Sequence, residues 1–145
     1  MIDVRVETVI GRPCAEVAEY ASDPDNAPHW YRNIAAAQWR SPRPLQLGSE
    51  VAFNARFLGR DLAYVYRITE LAPGERLVMR TAQGPFPMQT IYTWRALDDR
   101  STRMTLRNSG EPAGFSRILA PFMAAMMRSA TRKDLKKLKA ILESR

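Results

Sequence analysis

The sequence contains one cysteine, Cys14, and one histidine, His29, among its 145 residues. A single cysteine excludes a disulfide bond within the chain. One histidine and one cysteine cannot form the His/Cys clusters that are typical of zinc sites. The chain also lacks a glycine-rich phosphate loop and a dinucleotide-binding fingerprint. We therefore expect no metal ion and no nucleotide cofactor.

Long apolar runs are also missing. No uninterrupted stretch approaches the roughly 20 apolar residues of a membrane-spanning helix, so we expect no membrane insertion. No secretory signal opens the chain, and a cytoplasmic location is the default expectation. The composition, 46% hydrophobic and 26% charged, is typical of a globular protein. Its length predicts one domain over residues 1–145.

Negative charge is scarce, because 22 Lys and Arg stand against 15 Asp and Glu. Much of the excess lies near the C-terminus, at residues 128–139, where basic residues complement a helix dipole. No aromatic residue is interleaved with these lysines, which disfavours stacking on nucleic-acid bases. We interpret the segment as a solvated helix face and expect no specific nucleic-acid partner. The sequence leaves the oligomeric state open, a homodimer included.

The clearest periodic pattern lies in residues 115–142. Apolar residues recur there at steps of three to five, which predicts one helix about 40 Å long. Pro121 marks either the start of this helix or a kink within it. Met123, Met126 and Met127 suggest an adaptable wall of an apolar pocket, although methionines also fill ordinary cores. The second half, which includes Leu138, is predicted to be solid core.

Alternating apolar and polar residues predict seven strands, and the tight turns between them indicate an antiparallel meander. Two short helices are predicted after the first strand. The strands are predicted at residues 2–10, 35–40, 50–57, 62–71, 75–82, 88–96 and 102–109. One face of these strands must be exposed to water, because it carries six charges that cannot be buried unpaired. These charges belong to Arg5, Arg56, Arg67, Arg80, Arg95 and Arg107.

Four short motifs occur in an order that resembles a known superfamily. They are GRPCAEV at residues 11–17, DPDN at 23–26 followed by Trp30, ITELAPGERL at 68–77 and STRMTL at 101–106. With the order of elements, the whole chain resembles the START-like (SRPBCC) helix-grip superfamily, in particular its polyketide cyclase/dehydrase and lipid-transport-like branch. The resemblance implies an α+β fold in which a curved antiparallel sheet of about seven strands surrounds the C-terminal helix. It also implies a deep apolar cavity between them.

The inward strand faces and the long helix supply the candidate ligand-binding residues. Aromatic and methionine side chains are combined there with a few hydroxyls and one amide, as in a pocket for a rigid, oxygen-bearing apolar molecule. Alternatively, the tyrosines lie at the rim and bond to backbone or water. The candidates are Trp30, Phe53, Phe57, Tyr64, Tyr66, Met79, Thr90, Tyr92, Trp94, Asn108, Met123 and Met126.

Two functions follow from this site. No Asp, Glu, Lys or His falls on the inward strand faces, and tyrosine is a poor base at neutral pH. We therefore expect binding or transport of a small hydrophobic, ring-containing molecule without turnover. The alternative is a polyketide cyclase/dehydratase-type enzyme acting on an aromatic polyketide-like substrate, for which no catalytic residue is assigned. A protein-interaction module that uses the basic surface is a third, weaker hypothesis.

Overall fold

In a computed structural model of the chain, the structure describes residues 2–57, 59–84, 87–111 and 119–145. Its strands form one antiparallel sheet of seven in the order β1-β7-β6-β5-β4-β3-β2, so the predicted α+β helix-grip architecture is confirmed. The elements are β1 (Ile2–Ile10), α1 (Cys14–Ser22), a 3-10 turn (Pro24–Asn26), α2 (Ala27–Trp30), β2 (Ile34–Trp39), β3 (Glu50–Phe57), β4 (Arg60–Ala72), β5 (Arg76–Gln83), β6 (Met88–Asp98), β7 (Ser101–Gly110) and α3 (Ala120–Glu143).

The first strand pairs with the last one. β1 runs antiparallel to β7 along its whole length, from Ile2 opposite Gly110 to Ile10 opposite Thr102. The chain then crosses to the far edge of the sheet through the short helices and enters β2. Five successive antiparallel connections return it to β7. The short helices thus lie where the chain passes from one edge of the sheet to the other.

Register shifts bend the sheet. On β4 they lie between Val65 and Tyr66 and between Ile68 and Glu70, and another lies on β2 after Ile34. A bulge inserts one extra residue into one strand of a pair, which increases the local bend and twist. These shifts favour the curvature that lets a single sheet enclose a helix.

The long helix begins at Ala120, with Pro121 in its first turn. A proline is tolerated there because the first turn needs no N–H donor for the helix. The sequence hypothesis that Pro121 marks the start of the helix is therefore confirmed, while predicted residues 115–118 lie outside the described residues. In the described part of the chain, no helix is long and apolar enough to cross a membrane.

Two separate clusters of apolar residues hold α3 on the sheet. Leu135, Leu138 and Leu142, at most 1% exposed, belong to the main core together with side chains of β6, β7 and α1. Near the other end, Met123 packs against Ile2 and Val4 of β1. The second half of α3 is solid core, as predicted. Met123 is core as well, and not part of a pocket wall.

The outer face of the sheet carries the arginines, as strand parity predicted. Arg67 pairs with Glu50 on the neighbouring strand at 2.5 Å, and Arg107 pairs with Asp3 at 2.5 Å. Such exposed pairs contribute little stability individually. All six predicted side chains are exposed: Arg5, Arg56, Arg67, Arg80, Arg95 and Arg107.

Three apolar residues on this outer face are buried, although parity placed them in water. They are Val65, Val78 and Ile91. Ile91 lies opposite Arg107 on one neighbouring strand and opposite Val78 on the other. Long arginine side chains cover apolar neighbours with their aliphatic stems while the guanidinium group stays in water. Parity therefore predicted the side of the sheet correctly but not the exposure.

Leu138→Ala should lower the free energy of unfolding by about 2–5 kcal/mol, because the side chain is completely buried in the main core. Leu97 is 42% exposed and offers a matched control with the same chemical change. Leu97→Ala should change stability by only about 0.5 kcal/mol. Urea denaturation measures both variants. Losses of equal size would contradict the assignment of the α3 core.

Candidate functional site

A cavity of about 170 Å³ lies between the concave face of the sheet and the middle of α3. Cross-strand pairing brings its strand residues together, since Phe53 lies opposite Tyr64, and Thr90 lies opposite both Met79 and Asn108. Seven of the residues selected from the sequence line this cavity: Phe53, Tyr64, Tyr66, Met79, Thr90, Tyr92 and Asn108.

The other five candidates are placed differently. Trp30 and Trp94 are buried in the main core and Met123 packs against β1, so none of the three lines the cavity. Met126 is half-buried and is also outside the lining. The side chain of Phe57 lies outside the described residues.

Of the three methionines that the sequence suggested as a pocket wall, the helix presents Met127 to the cavity. Met127, Ala130, Thr131 and Asp134 line it, at the i, i+3, i+4 and i+7 spacing of one helical face. Met126 lies one residue away, which on a helix is a rotation of about 100°. The periodic pattern identified the helix, but the rotation of α3 against the sheet decided which methionine reaches the cavity.

Among the lining residues that were not selected from the sequence, Tyr31 and Asp134 matter most for the chemistry of the site. The parity count found no acidic group because it considered the inward strand faces alone, and Asp134 lies on the helix. One signal was available, since Asp134 interrupts an apolar stripe at a position three residues after Thr131. Nothing comparable marked Tyr31, which directly follows the buried Trp30.

Asp134 is the acidic group of the cavity and is only 5% exposed. Its Oδ1 accepts a hydrogen bond from the backbone N–H of Arg32 at 3.0 Å. Burial raises the pKa of this carboxyl to about 6, although the Arg32 N–H and the charges of Arg32 and Lys137 act in the opposite direction. Asp134 therefore changes its charge just below neutral pH.

Tyr31 and Tyr92 also line the cavity, and both are near enough to this carboxyl for its charge to act on them. The hydroxyls of Tyr31 and Tyr92 are hydrogen-bonded to each other. Burial raises the pKa of both groups above the ordinary value, and the charge of Asp134 raises them further. The ring of Trp30 lies 4.0 Å from that of Tyr31 and 5.9 Å from that of Tyr92, which fixes the pair in position. Both phenols stay protonated at neutral pH and act as hydrogen-bond donors.

A second polar group lies on the sheet side of the cavity. Thr90 donates a hydrogen bond from Oγ1 to Oδ1 of Asn108 at 2.7 Å. Burial raises the pKa of the adjacent Tyr66 to about 12, and the Thr90 hydroxyl acts in the opposite direction. The rings of Tyr64 and Phe53 lie 6.1 Å and 5.7 Å from that of Tyr66. The cavity lining thus combines apolar rings and methionines with two hydrogen-bonded groups of polar atoms.

The Tyr64 ring requires a glycine beside it. A Cβ at Gly84 would lie 2.6 Å from Cδ1 of Tyr64, which is closer than two carbons can approach.

At the edge of the cavity, Asn33 and Arg56 are exposed and form part of the lining. Arg56 thus faces water, as predicted, and also borders the opening. Within the described ranges, no cluster of His, Cys, Asp and Glu side chains could hold a metal ion.

The curved sheet, the enclosed C-terminal helix and the cavity between them define a START-like, helix-grip protein. Similar solved structures include a protein of Thermus thermophilus, with a TM-score of 0.82, 17% identity, and coverage of 95% of this chain and 94% of that one. A START superfamily protein of Mycobacterium smegmatis has a TM-score of 0.81, 15% identity, and coverage of 98% and 97%. An aromatase/cyclase of a Streptomyces species has a TM-score of 0.81, 14% identity, and coverage of 97% and 93%.

Identities this low show a shared fold alone. The family model described as polyketide cyclase/dehydrase and lipid transport matches residues 1–143, so the chain belongs to that family. A search of curated protein sequences finds no match.

Asp134→Asn should change the pH dependence of stability. The folded protein holds a proton on Asp134 up to a pKa of about 6, whereas the ordinary value is 3.8. Stability contributed by this group therefore falls as the pH rises from about 4 to 6, and the ionised carboxyl costs about 3 kcal/mol above that range. Between pH 4 and pH 7, the free energy of unfolding of the variant should rise relative to that of the wild type by up to this amount.

Thermal or urea denaturation at several pH values measures this difference. Asp3→Asn is the control, because Asp3 is exposed and its hydrogen bond to Arg107 lowers the pKa of its carboxyl. Asp3→Asn should differ from the wild type by an amount that is nearly constant between pH 4 and pH 7, because the lowered pKa of Asp3 confines its pH dependence to more acidic solutions. A difference between Asp134→Asn and the wild type that stays constant with pH would contradict the assignment.

Proposed function

We propose that the protein binds a small hydrophobic, ring-containing molecule in the cavity and releases it unchanged. The observation that carries this proposal is the lining, in which aromatic rings and methionines surround a space of about 170 Å³ with a few fixed hydroxyls. Ligand sites are commonly concave, mostly apolar and supplied with a small number of polar groups. In another protein an apolar cavity of about 150 Å³ holds benzene. A molecule of one or two rings therefore suits this site.

The apolar lining supports moderate affinity. Burying about 300 Å² of ligand surface contributes roughly 7 kcal/mol at about 25 cal/mol per Å². Part of this is lost to the restricted motion of the bound ligand, so area alone supports a dissociation constant no tighter than about micromolar. The hydroxyls then select among ligands of similar size.

Native mass spectrometry of freshly purified protein should reveal a retained compound that denaturation releases. A panel of aromatic polyketides, sterols, quinones and fatty acids should then contain ligands that bind with micromolar affinity. Ala130→Leu places a larger side chain in the cavity and should weaken binding at least tenfold. Ala140→Leu is the matched control, since Ala140 is exposed on the same helix, and it should bind normally. Equal affinities of the two variants would contradict binding in this cavity.

The second candidate function is a polyketide cyclase/dehydratase-type reaction, and Asp134 is the observation that favours it. A carboxyl with a pKa of about 6 suits a general base near neutral pH. Ionised Asp134 could accept a proton from a carbon beside a carbonyl group of an aromatic polyketide-like substrate. The Tyr31–Tyr92 pair could donate a hydrogen bond to the carbonyl oxygen as negative charge develops there.

Product analysis separates the two functions. If the protein is an enzyme, a polycarbonyl member of the panel should be recovered as a cyclised or dehydrated product, with a rate that rises with pH around 6. Asp134→Asn should then lower the rate of product formation at least a hundredfold while the substrate still binds. Asp3→Asn should leave the rate unchanged. Recovery of every bound compound unaltered would exclude the enzyme and support the carrier.

A further inference from the structure

We propose that the end of the cavity formed by Asp134, Tyr31 and Tyr92 recognises a hydroxyl group on the ligand. The ligand hydroxyl would donate to Oδ2 of Asp134 and accept a hydrogen bond from the tyrosine pair. This inference rests on the proposed binding function, and it names the ligand class as an alcohol or phenol of one or two rings.

Asp134 supplies the acceptor. Its carboxyl lines the cavity, is 95% buried, and has one oxygen engaged, because Oδ1 accepts from the Arg32 N–H. Within the part of the chain that the structure describes, Oδ2 has no hydrogen-bond donor and no cationic side chain forms an ion pair with the carboxyl. The side-chain atoms that are fully buried without a partner include Nε1 of Trp30 but not Oδ2, so Oδ2 is open to the cavity and available to a donor on the ligand.

The tyrosine pair supplies the donor. Tyr31 and Tyr92 have two hydroxyl protons, and their mutual hydrogen bond uses one of them. No acceptor for the second proton occurs among the described residues, while both side chains line the cavity. One O–H group therefore remains free to donate to a ligand oxygen in the cavity that Asp134 also lines.

Among a hydroxyl, a carbonyl and an ammonium group, only the hydroxyl satisfies both partners. It donates one hydrogen bond and accepts others. A carbonyl oxygen accepts only, and would leave Oδ2 of Asp134 without a donor. An ammonium group donates only, and would leave the tyrosine proton without an acceptor. The net charge of +7 and the exposed Arg56 at the opening also disfavour a cation.

The preference for a hydroxyl over a carbonyl on the ligand should disappear on acidification. Protonated Asp134 donates a hydrogen bond itself and no longer needs a donor from the ligand. The other ionisable or charged groups that act on Asp134 are Tyr31, Tyr92 and Arg32 from the packed elements and Lys137 on its own helix. Both tyrosines stay protonated near pH 6, because burial raises their pKa values. We therefore assign the change to Asp134.

Four compounds with one carbon skeleton test the proposal: indane, 2-indanol, 2-indanone and 2-aminoindane. Dissociation constants come from NMR titrations of the full-length protein at pH 7.5 and pH 5. At pH 7.5 the protein should bind 2-indanol at least tenfold more tightly than each of the other three. At pH 5 the preference over 2-indanone should fall below threefold.

Variants assign the preference to these residues. Asp134→Asn keeps an oxygen for the Arg32 N–H but presents an amide donor, so 2-indanone should bind as tightly as 2-indanol or more tightly. Tyr92→Phe should weaken the binding of 2-indanol at least threefold and leave the affinity for indane unchanged. Tyr20→Phe, outside the cavity, is the control and should match the wild type. Thermal melting verifies that each variant is folded. If a variant does not fold, the affinities of the wild-type protein for the four compounds still test the hydroxyl site.

Each result has a distinct meaning. Failure of all four compounds to bind would contradict the proposed binding function itself. Equal binding of indane and 2-indanol would leave that function standing and overturn the hydroxyl site. Tightest binding of 2-aminoindane would overturn it in favour of a cation site. Unchanged selectivity in Asp134→Asn would overturn it as well.

Discussion

The burial of one apolar stripe of α3 against the sheet is the constraint on which the rest of the structure depends. Met123 anchors one end of the helix on β1, and Leu135, Leu138 and Leu142 anchor the other end in the main core. A rigid helix held at two points crosses the curved sheet between them without following its surface. The space beneath Met127 and Asp134 is therefore the part of the interior that side chains do not fill.

This arrangement explains how the protein tolerates a poorly compensated carboxyl in its interior. Asp134 is buried with a single backbone N–H as its partner, and such a group lowers stability whenever it is ionised. The surrounding core stabilises the fold independently of it, because Leu135 and Leu138 lie on the same helix and are fully packed. Residues that violate the rules of stable packing while the rest of the structure obeys them commonly mark functional sites.

The tyrosines of the cavity divide into two groups with different roles. Tyr31 and Tyr92 are hydrogen-bonded to each other beside Asp134, whereas Tyr66 lies near Thr90 and Asn108 on the sheet. Their positions fix where the oxygen atoms of a ligand can be hydrogen-bonded, which is the basis of selectivity in either proposed function.

The sequence by itself determined the strands, their antiparallel order and the side of the sheet on which each residue lies. Side chains alternate along a strand, so the exposure of Arg67 and the inward direction of Tyr64 and Tyr66 follow from local pattern. Only the tertiary structure decided which helix residues meet those tyrosines. Tyr31, Tyr92 and Asp134 are distant in sequence, and they meet because of the rotation of α3 and the path of the chain after α2. Both depend on packing across the whole sheet, which no local pattern records.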